Sequence, residues 1–292
     1  PKKTISSELV LDAWGVKRRK IRDNWYPVDP PMKEAKSEKV IEEYDGWPNP
    51  EDPVYIEGIR QKAKYYHENT DYVLCVDPGE ARSIVERYSR MRGFTQKFID
   101  MKVNPEFYHA LMSKILQASV DLIAVLLNEV GDFVDIVCIA DDLGSQTHPF
   151  MSPSDFRKNE KPYIEGYIRA IKRLAPKSRI LFHSDGAIFP LIGELIDAGV
   201  EILNPIQPGA RDMDPHKLAA EYGGKVCFHG GIDVQQKLPL GSAEEVRSHV
   251  LSTINALIKG GYILAPSQAI SGDVPPENIY TMYETGYRYN LR

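Results

Sequence analysis

The chain has 292 residues, 42% hydrophobic and 26% charged, the balance of an ordinary folded protein with one large domain or two smaller ones. A net charge of −5 and the lack of a basic stripe argue against nucleic acid as a partner, and the densest basic run, Lys17–Lys20, reads as solvated surface. Cys75, Cys138 and Cys227 sit in apolar runs without a CxxC spacing. They read as small buried side chains, not nucleophiles or disulfides, in a reducing cytoplasm. No apolar run reaches the roughly 18–20 residues that cross a bilayer, and no signal peptide is visible, so no membrane partner is expected.

In chain order, residues 1–53 read as an irregular N-terminal segment, a short hairpin followed by extended chain, closed off by Pro48, Pro50 and Pro53. Residues 54–292 read as one strand–helix domain. A helix over 54–70 precedes a strand near 72. The clearest helix, 105–131, opens at Pro105 and repeats Phe107, Leu111, Ile115, Ile123 and Leu127 at helical spacing. The run "VDIVCIADDLG" then reads as a buried parallel strand ending in two aspartates. Helices over 153–175, 187–199, 214–223, 242–260 and 276–290 alternate with strands near 180, 200, 225 and 262. This pattern predicts a parallel sheet with right-handed crossovers. No glycine-rich phosphate loop follows a strand, which favours a (β/α) barrel over a dinucleotide-binding fold. A barrel of that kind has eight strands; six are legible.

Polar residues gather after the strand C-termini: Asp77, Asp141, Asp142, His183, Asp185, Asn204, Gln207, His229, Asp233 and Gln268. In parallel α/β folds this rim carries the active site. His183 and Asp185 share a side if the strand of "RILFHSDG" stays extended. A metal site, an acid–base pair, and a turn with a helix cap all fit that spacing. Asp141 and Asp142, being adjacent, point opposite ways, so one faces the site while the other caps. Asp141, Asp142, His183 and Asp185 are the candidate catalytic groups. Asn204, Gln207, His229, Asp233 and Gln268 are candidates for holding substrate, or for holding the loops on which they lie.

The stretches "IADDLG", "FHSDGAIFPLIGELIDAGVEILNPIQP", "KVCFHGGIDVQQKLP" and "GYILAPSQAISGDVPPENIYTMYE" resemble the uroporphyrinogen decarboxylase superfamily. The likeness runs from about Asp12 to the end and is specific over 134–283. It implies a (β/α)8 TIM barrel whose third to eighth strands are the six above, with its N-terminal strands absent from this sequence. Two chemistries are implied. The first is zinc-dependent methyl transfer between a small methylated substrate and a corrinoid such as methylcobalamin on a partner protein. The second is cofactor-free decarboxylation of a tetrapyrrole. The methyltransferases hold zinc through His-x-Cys and a later cysteine; the matching positions are His183, Asp185 and Gln268, so both cysteines are replaced. The decarboxylases show a histidine where Gln268 stands and need cationic groups, for which Arg211 and Lys237 are the nearest candidates. The methyltransferase-like branch is the closer pattern, with the decarboxylase and a non-catalytic ligand-binding barrel as alternatives; a homodimer is compatible with all three.

Overall fold

A computed structural model of the chain describes residues 3–22 and 24–289. Two compact units are present: Pro1–Asp141 with Arg157–Arg179, and Asp142–Phe156 with Ile180–Arg292.

The first unit opens with four strands, β1 (Lys3–Ser6), β2 (Leu9–Leu11), β3 (Lys17–Ile21) and β4 (Asn24–Pro27), in an antiparallel meander. The sequence suggests only a hairpin here. These strands are three to five residues long and rich in lysine and arginine, so they carry little apolar alternation. The basic run is not all solvated surface: Arg18 Nε donates to the buried Asp12 carboxylate at 2.8 Å.

Five helices follow: α1 (Lys39–Glu43), α2 (Ile59–Asn69), α3 (Val85–Arg92), α4 (Phe94–Val103) and α5 (Pro105–Val130). The helix expected over 54–70 starts late, because Pro53 opens a separate 3-10 turn and Gly58 takes φ +68° just before α2. Asn104 caps α5, its side chain accepting from Phe107 N–H, with Pro105 at the first position. By length and apolar content α5 could cross a membrane, contrary to the expectation from the sequence. Half of that stretch is buried inside the protein, with Phe107, Leu111, Ile115 and Ile123 fully covered, as in a core helix.

Strand β5 (Cys75–Val76) runs parallel to β6 (Ile136–Ala140). It is shorter than "DYVLCVDPG" suggests, since the Leu74 N–H is taken by the Asp135 side chain. Cys75 is exposed, and Cys138 and Cys227 are half-buried, so the expectation of three buried thiols fails. Cys75 lines an open groove of 660 Å³ with Tyr66, Tyr72 and Val73. The helix expected over 153–175 is two, α6 (Pro153–Asn159) and α7 (Lys161–Leu174). Pro162 has no N–H to continue the first and sits in the first turn of the second.

The second unit holds four parallel strands in chain order: β7 (Arg179–His183), β8 (Ile202–Ile206), β9 (Cys227–Ile232) and β10 (Tyr262–Pro266). The intervening helices are α8 (Ile192–Asp197), α9 (Pro215–Tyr222), α10 (Lys237–Leu240) and α11 (Ala243–Leu257); α12 (Pro276–Arg288) follows β10. Asp214 caps α9, and Ser242 with Glu245 forms a capping box on α11. Ile232, Val246, Val250, Ile254 and Met282 pack β9, α11 and α12 into a common core. With β5 and β6, six described strands belong to parallel ladders; an eight-stranded barrel has two more.

Candidate metal centre

The last residue of β7 is His183, and Asp185, two residues on, brings a carboxylate oxygen to 4.0 Å from its Nε2. Gly186 then turns the backbone at φ +87°. A Cβ there would lie 2.6 Å from the carbonyl oxygens of Gly144 and Ser145, so this close approach demands glycine. The loop that brings those carbonyls also brings Asp142. The Asp185 N–H donates to Asp142 Oδ1 at 3.0 Å, and the Leu143 N–H donates to Ser184 Oγ at 3.0 Å.

His183 Nε2 therefore lies 3.8 Å from Asp142 Oδ1 and 4.0 Å from Asp185 Oδ1. Those separations are too long for hydrogen bonds. They suit donor atoms that share one cation, since ligands about 2.1 Å from a metal stand roughly 3–4 Å from each other. The three donor atoms all fall within 4.8 Å of one another, and none of the residues is fully buried. One imidazole nitrogen and two carboxylate oxygens suit zinc or a similar divalent ion, with room for an exogenous group.

Asp142, His183 and Asp185 are the His and carboxylate groups that converge here, and Gln268, implied by the resemblance as a ligand position, reaches the same cluster through Asp185. Gln268 Nε2 donates to Asp185 Oδ2 at 2.7 Å, and its Oε1 accepts from the Ala269 N–H. The amide so holds one carboxylate oxygen of Asp185 and leaves the other facing His183. Burial raises the Asp185 pKa above the ordinary carboxylate value; the Asp142 charge adds to this, while His183 and Gln268 pull it back.

The two adjacent aspartates part company. Asp141 is fully buried and accepts from Ser83 Oγ at 2.8 Å, Ile84 N–H at 3.2 Å and Glu86 N–H at 2.7 Å, at the start of α3. Burial pushes its carboxyl up to about 7, with Glu86 adding to the rise and the capping bonds opposing it. The other rim residues divide in the same way. Asp77 accepts from the Gly79 N–H and pairs with Arg82 at 3.0 Å. Asp233 accepts from the N–H groups of Gln235 and Gln236 ahead of α10. Gln207 bridges loops, accepting from the Gly186 N–H and donating to Gln146 Oε1. Gln146 was not singled out in the sequence; a lone glutamine in a loop gives no signal there.

Asn204 and His229 do join the centre, behind His183. His183 Nδ1 lies 2.7 Å from Asn204 Oδ1, and Asn204 Nδ2 lies 2.6 Å from His229 Nδ1. Burial lowers the His229 pKa. Among the described residues, the lining of the 660 Å³ groove in the first unit shares no residue with this cluster.

Parallel strands separated by helices, with ionisable groups converging just past the strand ends, define an α/β protein of the TIM-barrel type with a rim site. Residues 81–289 match the family model "Uroporphyrinogen decarboxylase (URO-D)", and the chain belongs to that family. The uroporphyrinogen decarboxylase of Trichodesmium erythraeum (strain IMS101) is 23% identical over 182 residues, 62% of this chain and 47% of that protein. That of Crocosphaera subtropica (strain ATCC 51142 / BH68) is 22% identical over the same coverage. The chain thus spans about half the length of these curated relatives. A methyltransferase from Methanosarcina mazei superposes with a TM-score of 0.68 over 94% of this chain and 75% of its own, at 16% identity, which establishes the shared fold.

Proposed function

We propose that this protein is a metal-dependent methyltransferase of demethylase type, moving a methyl group between a small methylated substrate and a corrinoid carried by a partner protein. The observation that carries this reading is the convergence of His183 Nε2 with carboxylate oxygens of Asp142 and Asp185 within 4.8 Å. A zinc ion held there would supply Lewis acidity to the heteroatom that bears or receives the methyl group. His183, Asp142 and Asp185 would hold the ion, and Gln268 would orient Asp185 through its 2.7 Å hydrogen bond. The barrel-type methyltransferase with a similar backbone lends this reading its reaction class.

The second reading, decarboxylation of a tetrapyrrole, rests on the names of the relatives in sequence. The cluster speaks against it, since two carboxylates beside His183 repel the acidic side chains of such a substrate. Incubating the zinc-loaded protein with methylcobalamin and a panel of thiol, amine and alcohol acceptors tests the choice. Demethylation of the corrinoid, read from its visible absorption and lost in Asp142→Asn, is the expected result. Release of carbon dioxide from uroporphyrinogen without any corrinoid response would overturn it.

A further inference from the structure

The strands β7, β8 and β9 place His183, Asn204 and His229 side by side, and β7 pairs with β8 with His183 opposite Asn204. An amide has one group that only accepts and one that only donates. The 2.7 Å contact at Asn204 Oδ1 therefore needs a proton on His183 Nδ1, and the 2.6 Å contact at Asn204 Nδ2 needs a bare Nδ1 on His229. The polarity of the whole chain follows from one asparagine.

The backbone is shaped to keep this chain short. Gly230 follows His229 at φ +110°, and a Cβ there would lie 2.9 Å from the Ile206 backbone nitrogen. Only glycine lets β9 come so close to β8. Tyr262 on β10 fixes the same point from the far side, donating its hydroxyl to the Gly230 carbonyl at 2.6 Å.

We infer that Asn204 is a positioning residue. It holds the proton of His183 on Nδ1, so that Nε2 is the nitrogen presented to Asp142 and Asp185, with His229 as the fixed acceptor that orients the amide. The inference rests on the metal-centre reading above, and it replaces a substrate-binding role for Asn204 and His229 expected from sequence. A histidine ligand oriented through its other nitrogen is a general feature of metal sites. Here an amide and a second histidine, and not a carboxylate, do the orienting.

Long-range proton–nitrogen correlations on the 15N-histidine-labelled chain test this, with signals assigned through His183→Ala and His229→Ala. The expected pattern is a protonated Nδ1 on His183 and an unprotonated Nδ1 with a protonated Nε2 on His229. Asn204→Asp offers only acceptors in nearly the same shape. It keeps the His183 pattern and moves the His229 proton to Nδ1, which a merely structural role would not do. Asn204→Leu removes both constraints, and zinc affinity, read by competition with a chromophoric chelator, falls about 10–100-fold. If the leucine protein does not fold, the aspartate protein alone carries the test. An unprotonated Nδ1 on His183 in the wild type, or one ring pattern shared by wild type and Asn204→Asp, overturns the inference. Failure of the wild type to bind zinc overturns the proposed function instead, and the ring pattern still decides the role of Asn204.

Discussion

His183 Nε2 stands 3.8 Å from Asp142 Oδ1, although His183 ends β7 and Asp142 follows β6. The contact is set by backbone, since the Asp185 N–H donates to that same Asp142 oxygen. A histidine and two carboxylates are held at ligand separations by hydrogen bonds from the Asp185 N–H and the Gln268 amide.

This network separates two neighbouring aspartates by function. Asp142→Asn is expected to lower zinc affinity by at least about 100-fold, more than the loss of an outer partner costs. Asp141→Asn leaves that affinity close to wild type, because Asp141 is spent on Ser83, Ile84 and Glu86. Chelator competition on both variants checks this. A larger loss in the Asp141 variant would mean the roles are reversed.

Asp141 should instead show itself in stability. Its folded pKa is about 7 against an ordinary 3.8, so between these values the folded chain holds the proton more tightly than the unfolded one. Stability from this group is therefore present at low pH and falls as pH rises through that window. Asp141→Asn removes the component, so its urea midpoint falls less between pH 4 and pH 7, about the ordinary and raised values, than that of the wild type. Equal slopes for the two proteins would contradict the assignment.

On the proposed reading Gln268 orients Asp185 through its 2.7 Å hydrogen bond. Gln268→Ala is expected to cost about 10–100-fold in zinc affinity while leaving one zinc per chain at saturation. A lower saturating stoichiometry would show that the amide is itself a ligand.

Much of this was legible in the sequence where alternation and strand–helix order carry the signal. The six strands, the long core helix and the pairing of His183 with Asp185 all rest on periodicity that the fold preserves. That one aspartate of the adjacent pair caps while the other faces the site follows from their opposite directions. Which does which depends on the loop after β6, and no local pattern encodes it. The 2.7 Å bond from Gln268 to Asp185 was not legible, because two loops that meet only in the fold leave no local pattern. The N-terminal meander was missed because its strands are short and basic, and the break between α6 and α7 because Pro162 lies within an otherwise continuous helical pattern.

The central claim, that Asp142, His183 and Asp185 form a metal centre, is tested most directly by elemental analysis of protein purified without chelators, beside His183→Ala. The account predicts about one zinc per wild-type chain and none retained by the variant. Wild-type protein that binds no metal even after incubation with excess zinc, or a variant that keeps it, would contradict the account.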